Sequence, residues 1–241
     1  MTLARAGKGM PMGWWIFCLT MLSATPDAGH PDGGTKARVM TREVQALVDR
    51  VQGFYEKTTD FRSHFRQEYA YTAFKRTQVS EGTVLYQKPG KMRWDYEKPS
   101  KRTFVLAKDK VYALDPDALT LTKANLDTNQ LSAAVTFLFG KGKLADEFFI
   151  EKTACPSCQG QLLTLLPKRP DPRFERVQLE VDLKTAQVLQ STVTDPDGSR
   201  NTIRFSDLKT NVGLQAAAFD LTTPPNTQVI DLTRTAPAPL P

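Results

Sequence analysis

The residues best suited to chemistry in this chain of 241 residues are few and poorly placed for it. A Ser-His-Asp set or a histidine metal site needs positioned imidazoles. The two histidines are His30, in the Pro/Gly-rich run HPDGGTK, and His64, on a predicted strand, which leaves one from ordered structure. Asp115 and Asp117 flank a proline, and Asp-Pro-Asp is turn chemistry first. Gly140-Lys-Gly-Lys143 lacks the length and the strand-to-helix setting of a phosphate loop. Cys155-Pro-Ser-Cys158 is the strongest motif and has three readings: a redox pair, half of a zinc site or a structural disulfide. A redox pair wants a helix N-terminus to lower the thiol pKa, yet Gln159-Gly160 and the strand-like Gln161–Leu166 follow. A four-thiolate zinc site wants a second pair, and Cys18 is the one other cysteine. An exported chain with two cysteines favours a disulfide, with thiol oxidoreductase chemistry as the alternative. The chain is therefore expected not to be an enzyme and to need no metal or cofactor.

The elements that would position a site begin after an export signal. Arg5 and Lys8 precede the apolar run Met12–Leu22, and Ser23-Ala24 supplies small residues for cleavage. This is the pattern of a signal peptide and is too short for a membrane span; a retained anchor is the competing reading. Residues 1–24 are assigned to the signal, with cleavage within 24–28, and 25–37 to a disordered leader. Cys18 lies inside the apolar run behind Ile16-Phe17, which rejects lipidation. Removing Arg5 and Lys8 from the 32 basic residues leaves 30 against 26 acidic ones, a balance near +4 that suits a mixed solvated surface.

Val44, Leu47, Val48, Val51, Phe54 and Tyr55 recur at spacings of three and four, which predicts a helix with one wide apolar stripe. From about Asp60 the period changes to two. Met92, Trp94 and Tyr96 alternate with charged residues, as do Val177, Leu179, Val181 and Leu183. Further runs at Phe61–Tyr71, Gly82–Gln87, Lys101–Leu106, Lys110–Leu114, Gln161–Leu166, Gln187–Thr194 and Asn201–Leu208 are separated by turn residues. This predicts an antiparallel meander with one apolar face. Asn129–Phe139 interrupts it as a short helix with Leu131, Ala134, Val135 and Leu138 on one side, and Lys143–Phe149 reads as a second such segment. The tail 233–241 is Pro/Ala-rich and expected to be disordered. The stripe of Tyr86, Met92, Trp94 and Tyr96 lacks the clustered basic groove that stacked nucleic acid requires, so no nucleic-acid partner is expected.

Gly82-Thr-Val-Leu-Tyr-Gln-Lys-Pro89-Gly-Lys-Met-Arg-Trp94-Asp-Tyr-Glu-Lys-Pro99 resembles the signature stretch of the LolA family of periplasmic outer-membrane lipoprotein carriers. Phe61, Phe65 and Gln67 resemble the family's F-x-x-x-F-x-Q strand. Asn129–Phe139 sits where the family has lid helices, and Ala218-Phe219, Thr223-Pro224-Pro225 and Val229 resemble its closing pattern. The resemblance covers about residues 40–232.

It implies an α+β fold that is mainly β: an unclosed antiparallel β-barrel covered by the N-terminal helix and inserted lid helices, in a carrier domain spanning 38–232. It also implies a monomer in the periplasm that takes acylated lipoproteins from an inner-membrane ABC transporter and gives them to an outer-membrane acceptor. A lipoprotein- or lipid-sensing domain of the same fold is the nearest alternative. The expected lipid cavity is lined by Phe65, Tyr86, Met92, Trp94, Phe104, Leu106 and Leu179 from strands and Leu131, Val135 and Leu138 from the lid. The family's arginine before the motif proline holds the lid by hydrogen bonds to helix backbone. Lys88 occupies that position here and lacks the planar fork. It is expected at the Asn129–Phe139 helix, with Arg93 as the second candidate latch.

Overall fold

Alternation of apolar and polar residues builds nearly everything in the computed structural model, which describes residues 40–107, 109–125 and 143–233, all within one compact unit, Ala37–Pro241. Twelve strands form a single open sheet: β1 Asp60–Tyr71, β2 Arg76–Gln87, β3 Lys91–Lys98, β4 Arg102–Ala107, β5 Lys110–Asp115, β6 Thr120–Asn125, β7 Phe148–Thr153, β8 Gln161–Pro167, β9 Arg176–Val181, β10 Val188–Thr194, β11 Arg200–Thr210 and β12 Gln228–Asp231. Their order is β12-β6-β5-β4-β3-β2-β1-β11-β10-β9-β8-β7, with β12 and β7 as the two edges. Every neighbouring pair is antiparallel except β12 with β6. That parallel pair departs from the expected pure meander. Parallel pairing requires a crossover, and the segment after β11 crosses one face of the sheet before Gln228 donates its N–H to Leu119 O.

Helix α1, Arg42–Lys57, forms where the stripe predicts it. Thr41 caps its start, its hydroxyl accepting from Val44 N at 3.3 Å. Val44, Leu47, Val48, Val51 and Tyr55 are buried, while Phe54 is half-buried. They pack on Leu163, Leu165, Val177, Leu179, Val181 and Val188, so α1 fills one half of one sheet face, over β7–β10. The second expected helical segment is shorter than Lys143–Phe149: α2 runs only from Leu144 to Glu147. Phe148 already begins β7, because Phe148 and Ile150 alternate into the core and β8 offers them a full ladder. Asn129–Phe139 lies outside the described residues, and so do residues 1–39 and the tail beyond 233.

Candidate functional site

Cross-strand pairing carries the α1 face of the sheet, called the inner face, continuously past α1. Phe205, Phe65, Gly82 and Tyr96 stand side by side on β11, β1, β2 and β3, and Val84, Trp94, Phe104 and Ala113 form the next row on β2–β5. Phe65, Tyr86 and Met92 are buried, while Trp94, Tyr96, Phe104 and Leu106 are only half-buried. Phe65, Tyr86, Met92, Trp94, Tyr96 and Leu106 join Phe61, Val84 and Ile203 in a second apolar cluster, which among the described residues is made by strands. Phe205 touches both clusters and joins the filled half to this one.

Aromatic packing fixes the shape of this half. The Phe65 ring meets Trp94 at 4.8 Å and Tyr96 at 5.0 Å, both edge-on, and Tyr96 meets Phe104 edge-on at 5.6 Å. The close fit depends on Gly82, since a Cβ there would lie 1.9 Å from Asp95 O and 3.0 Å from the Phe65 ring. At the rim, Tyr96 Oη donates to Gln67 Oε1 at 2.9 Å and Gln67 Nε2 donates to Asn201 Oδ1 at 2.9 Å. Burial pushes the Tyr86 and Tyr96 hydroxyls up to about 12, so both are neutral donors at physiological pH. The arrangement offers an apolar surface bordered on β4 and β5 by the Arg102–Asp115 ion pair at 3.1 Å, and its aromatic and aliphatic side chains suit hydrocarbon.

Six of the seven expected strand residues, Phe65, Tyr86, Met92, Trp94, Phe104 and Leu106, stand on this half of the face. Leu179 does not. It faces the same side but is buried under α1, because β9 is three places from β1 in the sheet, in the half that α1 fills. Leu131, Val135 and Leu138 lie outside the described residues. Tyr96 is missing from the expected set, although it follows Met92 and Trp94 at the same period of two.

Lys88 and Arg93 both hold backbone carbonyls, while the Asn129–Phe139 carbonyls expected of a latch lie outside the described residues. Lys88 Nζ donates to Tyr55 O at 2.9 Å and Glu56 O at 2.8 Å, satisfying the last carbonyls of α1. The β2–β3 turn places it there, since Lys88 N also bonds Thr59 O just past the helix. Arg93 points to the opposite face, as strict alternation with Trp94 dictates. Its Nη1 donates to Ala218 O and Asp220 O, and its Nε pairs with Asp95 at 2.7 Å. It thereby anchors the 3-10 turn Ala216–Phe219, whose Phe219 is buried on that face. Cys155 and Cys158 form a disulfide in the loop between β7 and β8, and the neighbouring Gln159 and Gly160 N–H groups bond the buried Glu180 carboxylate. His64 is exposed on the opposite face with Thr83 as its neighbour at 3.4 Å. Among the described residues no cluster of three or more His, Cys, Asp or Glu is placed to hold a metal.

A profile of the family described as outer membrane lipoprotein carrier protein LolA matches residues 56–222. An outer-membrane lipoprotein carrier protein of Chromohalobacter salexigens is 31% identical, over 82% of this chain and 93% of its own length. One of Methylobacillus flagellatus is 29% identical, over 76% of this chain and 88% of its own. Among solved structures, an uncharacterized conserved protein of Thermus thermophilus has the same fold at 13% identity. Its TM-score is 0.51, with 79% of this chain and 99% of that chain covered.

Proposed function

This chain belongs to the LolA family of outer-membrane lipoprotein carrier proteins, and we propose that the half of the inner face left uncovered by α1 is where it holds a lipoprotein's acyl chains. It is a carrier and not an enzyme. The observation that carries the assignment of the site is the contrast between the two halves of one continuous face. Under α1 the apolar side chains are buried, whereas Trp94, Tyr96, Phe104 and Leu106 on β3 and β4 remain half-buried.

Each acyl methylene withdrawn from water is worth about 0.8 kcal/mol. A triacylated cargo therefore needs a large apolar surface to cross an aqueous space, and a carrier must offer that surface without a permanent filling of its own. In this reading Leu131, Val135 and Leu138 supply the movable wall opposite the strand residues. The protein works as a periplasmic monomer from which the export signal, residues 1–24, is removed, leaving the leader 25–37 ahead of a carrier domain of 38–232. An inner-membrane ABC transporter supplies the cargo and an outer-membrane acceptor removes it.

Trp94 is the one tryptophan after residue 24, which makes it a reporter inside the proposed site. A triacylated lipopeptide with brominated acyl chains should quench its fluorescence in a saturable manner, and the same lipopeptide should fail to do so in Phe104→Glu. Binding without quenching would place the cargo elsewhere on the protein, and absence of binding would remove the assignment.

A further inference from the structure

A second built feature lies at the end of the sheet where the β1–β2 and β10–β11 turns meet. Arg176, Thr194 and Arg200 are directly paired across β9, β10 and β11, so two guanidinium groups flank one threonine in a single transverse row. Ala70 of β1 continues the row, which brings the β1–β2 turn and its Lys75 and Arg76 alongside. Together they line an open cleft of about 440 Å³. Thr72 N donates to Ser199 Oγ at 3.2 Å and so ties the β1–β2 turn to the β10–β11 turn beside it.

The charge of the cleft is lopsided. Of its four cations only Arg176 is ion-paired among the described residues, to Glu175 at 2.8 Å, and Glu175 is the one acid in the lining. Arg76 rests over the Tyr71 ring at 5.4 Å, and Lys75 and Arg200 are exposed. The nearby acids are occupied internally: Asp195 accepts from Tyr69 Oη, and Asp197 from Ser199. Thr194 is 2% exposed, and its hydroxyl oxygen has no hydrogen-bond partner among the described residues. Forked guanidinium donors around a hydroxyl suit a phosphoryl group.

The turn also carries Phe74, 77% exposed, the barest large apolar side chain among the described residues. An aromatic ring directly beside Lys75 and Arg76 matches the boundary of a bilayer, where charge meets headgroups and the ring meets the acyl region.

We propose that this cleft takes the phosphoryl group of an anionic lipid headgroup, with Phe74 entering the lipid surface beside it. It would dock the protein on a bilayer by the end of the sheet that carries the β1–β2 and β10–β11 turns. The inference does not depend on where cargo binds.

Co-sedimentation with lipid vesicles tests it. The full chain should bind vesicles containing phosphatidylglycerol and not vesicles of phosphatidylcholine alone, and raised salt should weaken the binding. Lys75→Gln with Arg200→Gln should weaken it about tenfold or more, and Phe74→Ser should weaken it as well. Lys101→Gln with Lys209→Gln removes the same charge elsewhere and should change it less than about twofold. Equal losses in the two double variants would overturn the proposal in favour of diffuse surface charge. Binding of inorganic phosphate that Lys75→Gln with Arg200→Gln abolishes, with no preference for anionic vesicles, would overturn it in favour of a free-phosphate site. Binding to polyglutamate with no preference for anionic vesicles would overturn it in favour of an acidic protein partner.

Discussion

Gly82 and Lys88 sit six residues apart on β2 and its turn, and each fixes one half of the inner face. Gly82 lets Phe65 lie between Trp94 and Tyr96, because any side chain at 82 would collide with Asp95 O. Gly82→Ala should therefore cost about 2–4 kcal/mol, the range of a forced backbone shift in a packed sheet, measured by denaturant unfolding. Lys88 secures the filled half through the two carbonyls at the end of α1. Lys88→Met should lower stability by about 1–2 kcal/mol, the worth of a charge-assisted bond at a helix C-terminus, and Lys88→Arg should restore most of it. The disulfide closes a very short loop, so Cys155→Ser with Cys158→Ser should cost about 2 kcal/mol or less. Lipopeptide binding should persist in that variant, which a thiol oxidoreductase reading does not predict. No spacing in the sequence could have paired Lys88 with α1. The lysine and the carbonyls it binds are more than thirty positions apart and meet only because Lys88 N also bonds Thr59 O.

At the scale of elements, α1 and the β1–β4 meander divide one face between them, and both keep tyrosine hydroxyls out of water. Burial pushes Tyr55 in α1, Tyr86 in β2 and Tyr96 in β3 each up to about 12 from an ordinary value of 10. The folded chain therefore favours their protonated forms. The stability they contribute is complete below about pH 10 and falls as the pH rises from 10 towards 12. Melting temperature followed from pH 9 to 12 should decline over that window, and phenolate absorbance for these three should appear only with unfolding. A decline already complete at pH 10 would contradict their burial. Periodicity makes much of this legible. The stripe Val44–Tyr55 specifies α1, and alternation along Met92-Arg-Trp-Asp-Tyr96 tells which side chains share a face. Alternation cannot tell which part of a face a helix covers. Leu179 and Trp94 carry the same signal, and only the sheet order puts β9 beneath α1 and β3 clear of it. Phe148 reads as helical for the related reason that a short apolar run fits either period until its partner strand, β8, is known.

For the molecule as a whole, an open sheet with one half of its inner face filled by α1 and the other, among the described residues, clear of any helix fits the proposed reversible holding of hydrocarbon. A core substitution of a large apolar residue costs about 2–5 kcal/mol, and Leu165→Ala, under α1 at 0% exposure, should fall in that range. Phe104→Glu, on the half-buried side, should leave the melting temperature within a few degrees of wild type while abolishing acyl binding. The resemblance in the Gly82–Pro99 stretch points to this division of labour because those residues build the turn at Lys88 and the aromatic row together. The most direct test of the carrier account is intact mass spectrometry of the protein recovered from the periplasm of cells that make it. The account predicts a population whose added mass matches mature triacylated lipoproteins, absent from Phe104→Glu purified in the same way. Recovery of the wild-type protein free of lipoprotein, or with the same load as Phe104→Glu, would contradict it.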